Sequence, residues 1–220
     1  FNSSDDRLAR NALTHIDHSR IAEGITRSCY PTKGTQIIPM FSLWYIGMLH
    51  DYWMYKADDG FIKDKLVGGR AILDFFGKYQ QADGSLSNVP YWAFVDWAGN
   101  MWAESRDESG SGAIYNLQLL YAYEWAPEME AKIGLQDYAN IYKAKAEQLK
   151  ATIQRKYWNP TKKLYADTKD QNSYSQHVNS LAILTGMLNK DDMKVVANGM
   201  LHDESLTKCS VYFKYYLNQA

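Results

Sequence analysis

Between Pro90 and Glu104 the chain sets Trp92, Trp97 and Trp102, three of its seven tryptophans, beside the carboxylates of Asp96 and Glu104. Those residue types suit a sugar. A pyranose offers a weakly polar C–H face that stacks on indole and a rim of hydroxyls that needs charged or amide partners. The same indoles also serve as caps on a helical core, so both readings stand. Hydrolysis of a glycosidic bond adds a requirement: a proton donor and a second carboxylate as base or nucleophile, about 5 to 9.5 Å apart according to mechanism. Asp96 and Glu104, followed by Asp107 and Glu108, are the candidates in the loop, against the ordinary alternative of solvated surface carboxylates.

Two further groups of residues carry hydrogen-bonding chemistry. His50 and Asp51 close an apolar helical segment where a central cavity would open, as polar groups of a pocket or as caps of a neighbouring helix. Gln176, His177 and Asn179 crowd a helix start beyond what capping by Asn172 or Ser173 needs, which marks them as candidate pocket contacts. His15 and His18 share a helical face at a spacing that suits a metal, but no Cys or Glu-x-x-His pattern completes a site, and a solvated face is the better reading. No metal and no cofactor are expected. The chain has no nucleophile elbow, and Gly110 to Gly112 does not follow a strand, so neither serine-triad nor phosphate-loop chemistry is supported.

Helical periodicity dominates the elements that must position these residues. It predicts helices from Asp5, capped by Ser3 or Ser4, with Leu8, Ala12, Leu13 and Ile16 on one face; from Phe41 to Tyr55; and from Phe61 to Tyr79. A region at 80–110 with little periodicity follows, and its aromatic content argues for an ordered functional loop. Further helices are predicted at Ser111–Glu124, Leu135–Tyr157, Ser175–Leu188, Asp191–Met200 and Leu206–Asn218, with a short hairpin edge at Lys162–Tyr165. The helix at Phe41–Tyr55 is apolar around most of its circumference. That at Leu135–Tyr157 is amphipathic, with Lys143, Lys145 and Glu147 on its polar side. This contrast suits the inner and outer layers of a toroid of helical hairpins. The fold class is all-α.

Residues 1–220 read as one helical domain, since no linker, like-charge block or fixed-length repeat divides them. The formal net charge of −1 gives no support to a nucleic-acid or anionic-membrane partner. Apolar runs are far too short for a membrane span. Cys29 and Cys209 read as free thiols rather than a disulfide scaffold or metal site. The start at Phe1, without methionine or signal peptide, suggests a processed or excised piece.

Several ordered runs are similar to a known family: Asp6 to Asn11 (DRLARN), Ser19 to Thr26 (SRIAEGIT), Ile38 to Trp53 (IPMFSLWYIGMLHDYW), Phe94 to Trp97 (FVDW) and Tyr174 to Leu181 (YSQHVNSL). They resemble bacterial α-L-rhamnosidases of glycoside hydrolase family 78, most narrowly those of Bacteroidetes type. The resemblance implies an (α/α)6 barrel of six helical hairpins, incomplete in this chain, and inverting hydrolysis of terminal α-L-rhamnosides. It also implies that the general acid lies before Phe1 and the general base after Ala220, so that the chain is an internal piece of a catalytic domain, inactive alone. Asp96 and Trp97 match the Asp-Trp element of the family that contacts sugar hydroxyls. Trp44 falls where the Trp-x-x-Asp element of the family is not clearly reproduced, and Gln176 matches a glutamine at the start of an inner helix, binding or structural. The substrate-binding set on this basis is Asp96, Trp97, Trp92, Trp102, Glu104, Trp44, Asp51, Gln176 and His177, with a rhamnoside as partner, self-association through the open edges, and a periplasmic or secreted setting. A non-catalytic carbohydrate-binding domain and a protein-binding helical scaffold are the alternatives.

Overall fold

The computed structural model describes residues 5–99 and 106–220. Trp102, Glu104 and the predicted caps Ser3 and Ser4 lie outside them. Among the described residues are eight helices: α1 (Arg7–His18), α2 (Pro39–Lys56), α3 (Asp59–Gly77), α4 (Ala113–Ile133), α5 (Gln136–Tyr157), α6 (Gln176–Leu184), α7 (Lys190–His202) and α8 (Lys214–Gln219). A two-residue antiparallel ribbon, β1 (Trp158–Asn159) on β2 (Leu164–Tyr165), links α5 to α6. Among the described residues, no helix is long and apolar enough to cross a membrane.

The helices alternate between two layers. α2 packs on α4, α4 on α6 and α6 on α8, while α1, α3, α5 and α7 pack outside them. The sequence dictates this order through burial. α2 has no polar face along its first three turns, where Met40, Leu43, Trp44, Tyr45 and Ile46 are all buried. α5 instead buries Ala139, Tyr142, Ala146, Leu149 and Ile153, a stripe spaced three and four residues apart, and turns its lysines outward. Each such leucine or isoleucine contributes about 1.5 to 3 kcal/mol by leaving water. The arrangement is an all-α arc of helical hairpins, which is the incomplete toroid expected.

Four local readings needed correction. α4 does not stop at Glu124 but runs to Ile133 with Pro127 inside it. The proline removes one backbone donor, yet buried Met129 and Glu130 hold the last turns. Leu8 and Ala12 are exposed, leaving Leu13 as the buried anchor of α1. The cap of α6 is Ser175, whose Oγ accepts from Val178 N at 3.3 Å, rather than Asn172 or Ser173. The final helix begins at Lys214, not Leu206, because backbone groups before it are used elsewhere. Thr207 exchanges hydrogen bonds with Tyr174 and Gln176, and the Cys209 N–H donates to Gln176 Oε1 at 2.9 Å.

The first part of the aromatic loop is tied to the helices behind it. Asp83 accepts from the Ser85 N–H and hydroxyl, and it pairs with Lys156 at 2.7 Å. Leu86 N–H donates to Asn116 Oδ1 on α4 at 2.8 Å. At the far end of α4 a buried carboxylate joins three elements. Glu130 is 2 % exposed and binds both Nε and Nη2 of Arg70 on α3 at 2.7 Å, while Leu135 N–H, at the entry to α5, donates to it at 2.9 Å. Removing one partner of a buried pair strands the other charge. Glu130→Ala is expected to lower stability by about 3 kcal/mol, read as an earlier midpoint in urea unfolding, whereas Glu128→Ala on the exposed side of the same helix should shift it little.

Candidate functional site

A cavity of about 410 Å³ opens against the exposed side of α2. Trp44, Gly47, Met48, Asp51 and Tyr55 line it from α2, at spacings of three, four and seven residues that share one helical face. Tyr121 and Trp125 enter from α4, and Tyr212, Tyr215 and Tyr216 from the chain around the start of α8. The rings form two stacked pairs. Trp44 lies on Tyr216 with centroids 4.4 Å apart, and Tyr121 on Trp125 at 3.8 Å. The two pairs meet where Trp44 approaches Trp125 at 6.1 Å. Gly47 lets them close, because a Cβ there would come within 2.6 Å of the Trp125 ring.

Among the described residues that line the cavity, Asp51 is the one carboxylate and Arg27 the one cationic group. Asp51 keeps an exposed side chain at the mouth. The aromatic wall still removes enough water to raise its carboxyl above the usual range, against a smaller opposing pull from His50. A perturbed carboxyl in a cleft keeps Asp51 a candidate functional residue. His50 itself turns away and meets Glu128 at 2.8 Å.

The remaining candidates fall into a second group that does not line the cavity. Asp96 is fully buried and accepts four hydrogen bonds: from His177 Nε2 at 2.7 Å, from the Ser210 N–H at 2.9 Å, from the Ser210 hydroxyl, and from the Trp97 N–H at 2.8 Å. Burial alone would raise its pKa, but the bonds from His177 and Ser210 outweigh it and hold the carboxyl at about 2. An ionised carboxylate only accepts, so His177 Nε2 carries the hydrogen. His177 is also fully buried, its ring 4.6 Å from that of Phe213. Gln176 is buried, and its amide spans two backbone groups, donating to Met200 O at 2.9 Å and accepting from Cys209.

What this buried group positions is aromatic. Trp97, next to Asp96, is 71 % exposed, and Trp92 is half-buried with its ring 6.0 Å away. Phe94 contacts both, then Phe41 at 6.1 Å, and Phe41 reaches Tyr212 in the cavity wall at 6.3 Å. Tyr212 is held two residues from Ser210, and burial with the nearby Asp96 charge pushes its phenol up to about 12. A run of rings therefore connects the exposed indole of Trp97 to the cavity. Of the residues singled out in the sequence, Trp44 and Asp51 line the cavity and Trp92 and Trp97 do not, while Tyr121, Trp125, Tyr212, Tyr216 and Arg27 line it without having been singled out. The signal for Tyr121 and Trp125 was the four-residue spacing of aromatics within α4. No group of three or more His, Cys, Asp or Glu side chains gathers to hold a metal among the described residues.

The chain as a whole is similar to known proteins. The model of the bacterial alpha-L-rhamnosidase 6 hairpin glycosidase domain matches residues 1–211. Among solved structures, the family GH78 rhamnosidase of Bacillus sp. GL1 superposes with a TM-score of 0.84 at 18 % identity, over 98 % of this chain and 23 % of that one. The rhamnosidase from Klebsiella oxytoca with rhamnose bound gives 0.81 at 15 %, over 96 % of this chain and 40 % of that one. The alpha-L-rhamnosidase from Dictyoglumus thermophilum gives 0.64 at 20 %, over 88 % and 21 %. At these identities the likeness is one of fold, and the chain spans less than half the length of each. Among curated proteins none matches.

The buried carboxylate sets a pH dependence. An unfolded aspartate titrates near 3.8 and the folded Asp96 at about 2, so its contribution is complete above the unfolded value and is lost as pH falls through the folded one. Asp96→Asn is expected to lower stability at pH 7 by about 2 kcal/mol. The gap between wild type and variant should shrink from pH 4 to pH 2, measured by urea unfolding at each pH.

Proposed function

Because the chain belongs to the bacterial α-L-rhamnosidase six-hairpin glycosidase domain family, matched over residues 1–211, we propose that it forms part of the sugar-binding funnel of a glycosidase that cleaves terminal α-L-rhamnosides with inversion. The observation that carries this reading is the cavity itself. Stacked Trp44 and Tyr216 offer a flat apolar wall for the C–H face of a sugar, and Asp51 offers a hydroxyl acceptor on the same helix face. A rhamnose ring bearing the C6 methyl of a deoxysugar has more apolar edge than a fully hydroxylated hexose, which suits a wall this rich in rings. Trp97 and Trp92 extend the surface at the rim. Asp96, His177 and Gln176 act as positioning residues in this assignment, since their polar atoms are turned to the protein.

Inversion needs two carboxyl groups about 6.5 to 9.5 Å apart, one protonating the leaving oxygen and one activating water. Asp51 alone cannot fill both roles. As the resemblance to the family implies, we assign the acid and base to segments before and after this chain, which spans 23 % and 40 % of two of the rhamnosidase chains it matches. The purified chain of 220 residues is expected to show no turnover of aryl or natural rhamnosides, while the longer natural chain containing it releases rhamnose with inverted anomeric configuration by NMR. Turnover by the short chain would overturn the placement of the catalytic groups. Binding without turnover by the long one would make the domain a carbohydrate-binding module.

The family name specifies six hairpins, twelve helices, and the described residues contain eight helices. Leu8 at 86 % exposure and Val211 at 87 %, with Met54, Tyr55 and Tyr215, leave large apolar side chains in water. The isolated chain is expected to self-associate, seen as an apparent mass that rises with concentration in sedimentation; the longer chain should stay constant.

A further inference from the structure

The charged groups of the cavity are unequally accounted for. The chain has seven arginines. Five of them, Arg7, Arg10, Arg20, Arg70 and Arg155, meet a carboxylate, and Arg106 lies over the Tyr115 ring at 5.7 Å. Arg27 differs. Its side chain forms no ion pair or hydrogen bond among the described residues, it lines the cavity, and its Nε is buried without an acceptor. A guanidinium held partly out of water with nothing to bind is costly, and in a binding cleft the missing partner is an anion.

The backbone beneath Arg27 is fixed on both sides. Its own N–H donates to Ser19 Oγ at 3.0 Å, and that hydroxyl in turn donates to Ile16 O at 2.6 Å. The preceding Thr26 bonds Ser42 Oγ on α2 through both its N–H and its hydroxyl, each at 3.0 Å. Ser42 sits near the start of α2 and Asp51 nine residues later, a rise of roughly 13 Å along the helix. The backbone that carries Arg27 is thus tied to the start of α2, while Asp51 lies towards the other end of the same helix.

We propose that Arg27 recognises an anionic group, a carboxylate or a sulfate ester, on the saccharide unit next to the one held between Trp44 and Asp51, so that the cavity selects acidic over neutral glycosides. The proposal rests on the glycosidase reading above and adds the charge class of the substrate. The planar guanidinium is suited to it because it meets either anion through two parallel hydrogen bonds.

The test compares three disaccharides in which rhamnose is linked to glucose, to glucuronate or to 6-sulfated glucose, assayed with the longer natural chain and its Arg27→Met and Arg27→Lys variants. The readout is the ratio of kcat/KM for each acidic substrate to that for the neutral one within the same protein, which cancels any general loss from imperfect folding. Wild type is expected to favour at least one acidic substrate by about 10- to 100-fold, the range of a hydrogen bond to a charged group. Arg27→Met should bring that ratio to about one, and Arg27→Lys should keep part of it. The larger of the two ratios names the anion. A wild-type ratio near one, or one that Arg27→Met leaves unchanged, overturns the proposal and assigns Arg27 to a partner within the protein. If no rhamnoside is turned over, the glycosidase reading fails instead. The same ratio is then taken from dissociation constants for the three ligands, by tryptophan fluorescence, and judges Arg27 on its own.

Discussion

A carboxylate with no exposure to water has to be met by donors, and in this chain the donors of Asp96 come from three separate places. They are the loop itself through Trp97 N–H, α6 through His177, and the segment before α8 through Ser210. Losing any one would leave a buried charge short of partners, which costs more than the bond is worth when made. The three segments are therefore fixed relative to one another by a single side chain. Everything that the cavity presents from its outer side depends on this. Tyr212 follows Ser210 by two residues, and the exposed indole of Trp97 follows Asp96 directly. Asp96 is met by donors from the protein on both its oxygens, and it thereby fixes where the aromatic surface stands.

On its inner side the cavity depends on layering. α2 and α4 are inner helices because neither has a polar face long enough to keep in water, so they pack on each other and on α6. The face of α2 left over after that packing carries Trp44, Asp51 and Tyr55, and α4 adds Tyr121 and Trp125 beside it. The site is thus what remains of two core helices once their neighbours are satisfied. Its wall is apolar for the same reason the core is, and its few charged groups, Asp51 and Arg27, stand out against it.

How legible this was in the sequence follows from the range over which each signal acts. Helix existence was readable for all eight helices, because periodicity is local and the apolar sets of α2 and α5 differ plainly. Ends were less so. The helix expected to end at Glu124 runs on past Pro127 as α4, where the buried pairing of Glu130 with Arg70 holds its last turns. The stretch from Leu206 has a helical composition, but its backbone donors are claimed by Gln176 and Asp96, residues far away in sequence. The site split in the same manner. Tryptophans and carboxylates could be picked out by type, whereas the burial of Asp96 and the solvent face of Asp51 depend on which helix lies behind each. Arg27 carried no local mark at all, since having no partner among the described residues is a property of the folded chain and not of the residue.

The glycine at position 47 has a consequence for the energetics of ligand capture. With no side chain on α2 at that point, the edge of Trp125 rests against bare backbone while its face lies on Tyr121. A ring confined on an edge and a face has few rotamers left to lose. A guest that settles against it freezes little that was moving before, and so keeps more of the contact energy as affinity.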